Sequence, residues 1–192
     1  MLNSSNYFDS MLIILQALYF MLPAYFANMA PHFFIRLPLG NVPLDHGLVW
    51  RGRRLFGPNK TYRGLLSGIL FGIIAIFLQQ YLASFPWFEK ISLLPYREFN
   101  AWQLIFVGAL LGAGALLGDL LKSFFKRRLN IPAGEPWVPF DQLDFVVGAL
   151  VAVSLVYPLP LWHTVAVMIL TVPLHFIVNL AAFAMGLKKV WW

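Results

Sequence analysis

The segment WQLIFVGALLGAGALLGDLL, residues 102–121, decides how this chain folds. It carries no charge before Asp119, and a helix needs about 20 mainly apolar residues to cross the hydrocarbon core of a bilayer. Small residues spaced four apart let two helix backbones approach closely in a membrane. Glycine recurs within the segment at Gly108, Gly112, Gly114 and Gly118. The segment therefore predicts a membrane helix that packs tightly against its neighbours and ends near a carboxylate.

Four further apolar blocks extend this interpretation to the whole chain. They cover residues 11–30, 65–82, 145–157 and 161–187. The 192 residues are 60% hydrophobic and 11% charged, whereas a soluble domain has about 25% charged residues. We therefore predict an all-α integral membrane protein with about five transmembrane helices, forming a single polytopic domain over residues 1–192. The fourth block is short, and we expect its helix to start earlier, near Asp141.

The distribution of lysine and arginine predicts the orientation in the membrane. Basic residues are concentrated in two segments, about residues 31–63 and 122–144, and they follow the fifth block at Lys188 and Lys189. Because loops rich in lysine and arginine stay in the cytoplasm, we expect both segments and the carboxyl terminus there. The amino terminus is then outside.

The first segment that suggests chemistry is RGRRLFGPNKTYRG, residues 51–64. Thr61 and the backbone amides that open the next helix can bind anions, and Lys60 and Arg63 lie three residues apart. A triphosphate or a lipid phosphate would fit this arrangement. The alternative is that the basic residues only fix the topology. The spacing of a Walker P-loop is absent.

The second such segment is GDLLKSFFKRRLNIPAGEPWVPFDQLD, residues 118–144. Asp141 and Asp144 would share one face of a helix, and Asp119 would share another with Lys122, Ser123 and Lys126. A carboxylate at membrane depth is energetically unfavourable, so its presence there indicates a candidate functional residue. The chain has no cysteine and no histidine near these aspartates, so the available metal ligands are hard oxygen atoms. Such a ligand set suits Mg²⁺ bridging substrate phosphates.

The alternative for these aspartates is that they only form a structural ion-pair network with Lys122, Lys126 or Arg127.

Between the charged groups, the proline- and glycine-rich stretch NIPAGEPWVP predicts a loop that can fold over a ligand. Farther along, three polar residues recur at one per turn in the fifth block, and we expect interhelical hydrogen bonds from them. They are Thr171, His175 and Asn179.

The stretches LFGPNKTYRG, residues 55–64, and GDLLKSFFKRRLNIPAGEPWVPFDQLDF, residues 118–145, resemble the two signature regions of the CDP-archaeol synthase family. That family transfers a cytidylyl group from CTP to 2,3-bis-geranylgeranyl-glycerol phosphate, with Mg²⁺ and release of pyrophosphate. It is distantly similar to the phosphatidate cytidylyltransferases. This chain departs from that wider group at Gln142, where the group has arginine, and at Val138 and Pro139, which replace a glycine-rich stretch.

The resemblance implies a nucleotidyltransferase of the cell membrane with its active site on the cytoplasmic side and with CTP and a membrane lipid phosphate as substrates. We predict Asp119 and Asp141 as Mg²⁺ ligands, with Asp144 and Lys126 completing the catalytic set. The predicted substrate-binding residues are Lys60, Thr61, Arg63, Lys122, Ser123 and Arg127. A cytidylyltransferase acting on ester lipids and an anion or metal transporter are the alternatives. We expect no nucleic-acid partner, and a homo-oligomer is left open.

Overall fold

The computed structural model describes residues 4–34, 40–132 and 134–186, and these residues form six helices and one short hairpin. The helices are α1 (Ser4–Phe33), α2 (Tyr62–Leu82), α3 (Pro86–Ile91), α4 (Ala101–Arg128), α5 (Phe140–Ser154) and α6 (Leu161–Ala184). The hairpin pairs β1 (Val49–Trp50) with β2 (Arg53–Arg54). By length and composition, α1, α2, α4 and α6 can each cross a membrane. Each of the five predicted apolar blocks overlaps one of these helices, and the fourth and fifth blocks extend past the ends of α5 and α6.

Helix α5 has only 15 residues, fewer than the helices of the other four predicted blocks, and it is not among the four helices that can cross a membrane by length and composition. At about 1.5 Å per residue it falls short of the roughly 30 Å hydrocarbon core. It begins at Phe140, which confirms the expected early start near Asp141, and it packs against α1, α4 and α6.

Parts of the two predicted basic loops are helical. Residues 122–128 belong to the last turns of α4, and residues 31–33 end α1. Lysine and arginine are good helix formers, and their charges are favourable near a helix carboxyl terminus, so the helix continues through them. The stretch at residues 130–139, in which residue 133 lies outside the described residues, is not helical before Phe140, which confirms the predicted loop.

Glycines place α4 between α2 and α5 at very short distances. A Cβ atom added to Gly118 would lie 2.1 Å from the carbonyl oxygen of Asp144, and one added to Gly148 would lie 2.2 Å from that of Gly114. On the other side of α4, a Cβ atom on Gly72 would lie 2.5 Å from the carbonyl oxygen of Gly108. The packing role predicted for the glycines of α4 is confirmed.

The polar residues of α6 contribute one of the expected interhelical hydrogen bonds. The hydroxyls of Thr171 and Tyr25 of α1 lie 2.8 Å apart, and Thr171 is buried. The His175 ring lies 6.5 Å from the ring of Phe145, between centroids, and Asn179 is buried. The bond from Thr171 therefore joins the first and last helices of the bundle.

Candidate active site

Three aspartates converge on one lysine near the end of α4. The Nζ atom of Lys122 lies 3.1 Å from Oδ1 of Asp119, 2.9 Å from Oδ1 of Asp141 and 2.8 Å from Oδ2 of Asp144. The glycine contact explains this geometry, because Gly118 precedes Asp119 and touches the backbone of Asp144. Backbone approach between α4 and α5 thus brings carboxylates from both helices to the same ammonium group.

Two further lysines complete the charge balance. Lys60, from the segment before α2, forms an ion pair with Asp119. Lys126 lies 3.1–3.2 Å from the two carboxylate oxygens of Asp141, and its side chain is 8% exposed. Three aspartates and three lysines are together formally neutral. Charged groups are retained away from water when they are paired in this way.

The loop at residues 130–139 closes over Lys126 and Asp141. The ammonium group of Lys126 donates to the carbonyl oxygen of Glu135, and the amide of Trp137 donates to Oδ2 of Asp141 at 2.5 Å. The amide of Ile131 also donates to the Lys126 carbonyl oxygen at 2.9 Å. The loop therefore orients the Asp141 carboxylate as well as covering it.

A buried aspartate that the sequence analysis missed organises the segment that carries Lys60. Asp45 is 1% exposed and accepts hydrogen bonds from Arg54 at 2.5 Å and from the amides of Gly47, Phe56 and Gly57 at 3.0–3.2 Å. Burial alone would raise the pKa of Asp45, but these hydrogen bonds hold it well below its usual range. The Asp-His-Gly turn at residues 45–47 was the available sequence signal, since aspartate commonly bonds the backbone two residues on.

The same segment forms one wall of an open cavity. The cavity has a volume of about 290 Å³, and its walls include Arg53, Arg54 and Arg127. Gly57 and Pro58 also line it, and they lead along the chain to Lys60. Arg127, a predicted phosphate-binding residue, thus faces a cavity with two arginines that the sequence analysis did not select.

Three predicted substrate-binding residues form hydrogen bonds within the protein. The Thr61 hydroxyl caps α2 by accepting from the amide of Gly64 at 3.2 Å, and the Ser123 hydroxyl donates to the carbonyl oxygen of Asp119 at 2.8 Å. Arg63 donates to the side-chain oxygen of Asn41 at 3.2 Å. Contact of these three residues with substrate stays a prediction.

The donor set fits a hard divalent cation. Within residues 4–34, 40–132 and 134–186, no group of three or more histidine, cysteine, aspartate or glutamate side chains is arranged to hold a metal ion. Mg²⁺, however, commonly takes only one or two carboxylates together with substrate phosphates and waters. Asp119 and Asp141 already direct oxygen atoms at one positive charge, that of Lys122. The contacts that a purely structural ion-pair network requires are present as well.

Fold and site together define an α-helical membrane protein with a charge-balanced carboxylate and lysine site at one end of its helices. The family described as CarS-like, CDP-archaeol synthase, matches residues 10–192, and the chain belongs to this family. The resemblance seen in the two signature segments is thereby confirmed.

Individual relatives cover nearly the whole chain. The CDP-archaeol synthase of Pyrococcus furiosus is 39% identical over 93% of this chain and 98% of its own length. That of Methanocaldococcus jannaschii is 37% identical over 94% and 98%, respectively. A solved structure described as an intramembrane enzyme for archaeal membrane lipids biosynthesis is 35% identical, with a TM-score of 0.68 over 86% of this chain and 94% of that one. The chain is therefore an integral membrane protein of this fold.

Proposed function

We propose that this protein joins CTP to the phosphate of an unsaturated archaeal ether lipid, 2,3-bis-O-geranylgeranyl-sn-glycerol 1-phosphate, to give CDP-archaeol and pyrophosphate. The observation that carries the proposal is the ion pair between Lys60 and Asp119. It joins the two signature segments into one site, in a chain that matches the CDP-archaeol synthase family over residues 10–192.

The reaction needs positioning and charge neutralisation more than proton transfer. The lipid phosphate is already an anion at neutral pH, so one of its oxygens attacks the α-phosphorus of CTP while the bond to the β-phosphate breaks and pyrophosphate leaves. Lys60, Lys122 and Lys126 neutralise phosphate oxygens, as positively charged groups do in other phosphoryl transfers. We place the rest of the triphosphate toward the cavity that Arg127 lines together with Arg53 and Arg54.

Mg²⁺ is the cofactor we propose, held by Asp119 and Asp141 with Asp144 in support. A bound divalent ion would supply neutralisation of triphosphate charge. The protein's own contribution is to hold the two carboxylates at a fixed separation through the α4–α5 glycine contact, and to provide lysines that exchange carboxylate partners for phosphate oxygens.

We further propose that the active site faces the cytoplasm, where CTP is available, with the amino terminus outside and the carboxyl terminus inside. The support is the distribution of charge along α4. Its carboxyl-terminal turn carries Lys126, Arg127 and Arg128, whereas acidic and basic residues balance at residues 89–98, near its other end. Lys188 and Lys189, which entered the sequence argument, and Arg36 of the first basic segment lie outside the described residues.

Single cysteines placed near Asn59 and near Asn130 should react only with an impermeant thiol reagent applied from the cytoplasmic side. A cysteine near Ser92 should react only from outside. The natural chain has no cysteine, so each label reports one position. The measurement is mass-shift labelling of sealed right-side-out and inside-out vesicles, and the reverse pattern would contradict the orientation.

Purified protein supplied with Mg²⁺, CTP and the unsaturated ether lipid phosphate should release pyrophosphate and form the CDP-lipid. ATP, GTP and UTP should give little product, and a matched ester lipid, phosphatidate, should react more slowly. Faster turnover of phosphatidate would favour an ester-lipid cytidylyltransferase. Absence of pyrophosphate together with flux of ions into vesicles would favour a transporter. Exchange of labelled pyrophosphate into CTP without lipid would contradict direct attack by the lipid phosphate.

A further inference from the structure

The hairpin docks on the last turns of α4 through stacked aromatic rings and an arginine. The rings of Trp50 and Phe124 stack 5.7 Å apart at 16°. The guanidinium of Arg128 lies 5.1 Å from the Trp50 ring and 5.2 Å from the Phe124 ring. It also donates to the carbonyl oxygens of Trp50 and, at 2.8 Å, Arg54. These contacts fix the hairpin on the last turns of α4.

A second cavity, of about 330 Å³, opens at this junction. Three arginines and three aromatic residues line it, and none of these described lining residues is acidic. They are Arg51, Arg53, Arg128, Trp50, Phe124 and Phe125. Arg51 and Arg128 both lie within 5.1 Å of the Trp50 ring centre. The cavity is therefore positively charged and has an aromatic wall.

The surface beside this cavity is apolar and exposed. Three apolar residues spaced four apart share one face at the end of α4, where Leu129 directly follows the helix. They are Leu121, Phe125 and Leu129, which are 60%, 53% and 57% exposed. At the hairpin, Leu48 and Val49 are 60% and 62% exposed. In a membrane protein such a face contacts lipid chains, and tryptophan beside it is typical of the interface with the headgroups.

We propose that this cavity binds the phosphate headgroup of an anionic membrane phospholipid whose chain lies along the face formed by Leu121, Phe125 and Leu129. Arginine is suited to phosphate because its planar group donates two parallel hydrogen bonds. None of the six residues of the aspartate and lysine cluster lines this cavity, although Arg53 lines both this cavity and the one that Arg127 faces. We therefore assign the cavity to a lipid that does not react. The proposal requires only that the chain lies in a membrane, and it does not depend on the cytidylyltransferase activity.

The test is native mass spectrometry of the full-length protein in detergent, titrated with phosphatidylglycerol. We expect one tightly bound lipid, and we expect Arg51→Asn to weaken its binding roughly fivefold, as loss of one basic residue near an anionic lipid does. Asparagine tolerates the positive φ of 52° at this position and so retains the turn. The matched control is Arg97→Asn, which removes an arginine that is 60% exposed near the other end of α4 and should leave the affinity unchanged.

Two further probes decide which chemistry the cavity recognises. Phosphatidylcholine should bind more weakly, because its choline group meets three arginines, and millimolar inorganic phosphate should not displace phosphatidylglycerol. Equal affinities of wild-type and Arg51→Asn protein would overturn the proposal. Displacement by inorganic phosphate would also overturn it, since the cavity would then be a site for free anions. Unfolding temperatures of both variants should equal that of the wild type, and a lower value for Arg51→Asn alone would assign Arg51 to folding instead.

Discussion

Asp119→Asn and Asp141→Asn proteins should each insert and fold but lose turnover by about a hundredfold or more, the scale seen when one charge-stabilising group is removed from an active site. Asparagine keeps the size of the side chain and removes the charge that would hold Mg²⁺. The measurements are initial rate and thermal unfolding on the same preparations. Raising the Mg²⁺ concentration should recover part of the activity in at least one variant. Glu89→Gln, which changes a carboxylate of α3 that is 57% exposed, is the matched control and should alter neither quantity.

If the aspartates only form a structural ion-pair network, replacing them should lower the stability and leave the rate unchanged. Lys126 pairs with Asp141, so Asp141→Asn would then leave a buried ammonium group short of a partner and lower the stability. Lys126→Met introduced alongside should restore that stability, and the interaction energy from the double-mutant cycle measures the pairing. An Asp141→Asn protein that is destabilised yet turns over normally would contradict the assignment of Asp141 as a metal ligand.

Gly118→Ala should destabilise the protein by about 1–3 kcal/mol, the usual cost of overpacking, and should abolish most of its activity. The added methyl group would lie 2.1 Å from the carbonyl oxygen of Asp144, and backbone cannot move aside as a flexible side chain can. Helices α4 and α5 must therefore separate, which moves Asp119 away from Asp144. Thermal unfolding and the rate of pyrophosphate release are the two measurements.

Gly64→Ala is the matched control for stability, because the nearest atoms to its added methyl group would lie at an ordinary 3.5 Å. Both substitutions replace a helical glycine by alanine, so the difference between them reports mainly on the close contact. If Gly118→Ala unfolds at the wild-type temperature and keeps wild-type activity, the distance between α4 and α5 does not determine the site.

The residues of the charged cluster could be predicted from the sequence because charges are rare in this chain. Helical spacing correctly placed Asp141 and Asp144 on one face, and both reach Lys122. The spacing could not show that Lys60, 59 residues before Asp119, would pair with it, since that contact depends on the path of the whole preceding segment.

Other features lacked a usable sequence signal. The two strands have two residues each, too few to show an alternating pattern, and Asp45, which organises that region, looked like an isolated charge. Thr61 and Ser123 matched positions of the resemblance, but a helix end and a helix interior both offer local hydrogen bonds to hydroxyl groups. Residue type alone did not distinguish those roles from phosphate binding.

Because the cluster is formally neutral and internally paired, a ligand must displace existing ion pairs in order to bind. Lys122 contacts three carboxylates at once, and Lys60 and Lys126 each contact one of the same three. A ligand with a single negative charge would have to break several of these contacts and could replace only one. A triphosphate that arrives with a divalent cation offers both signs of charge, so every displaced lysine and carboxylate regains a partner. We therefore expect inorganic phosphate to bind the resting cluster weakly, and a triphosphate with a divalent cation to bind it more tightly.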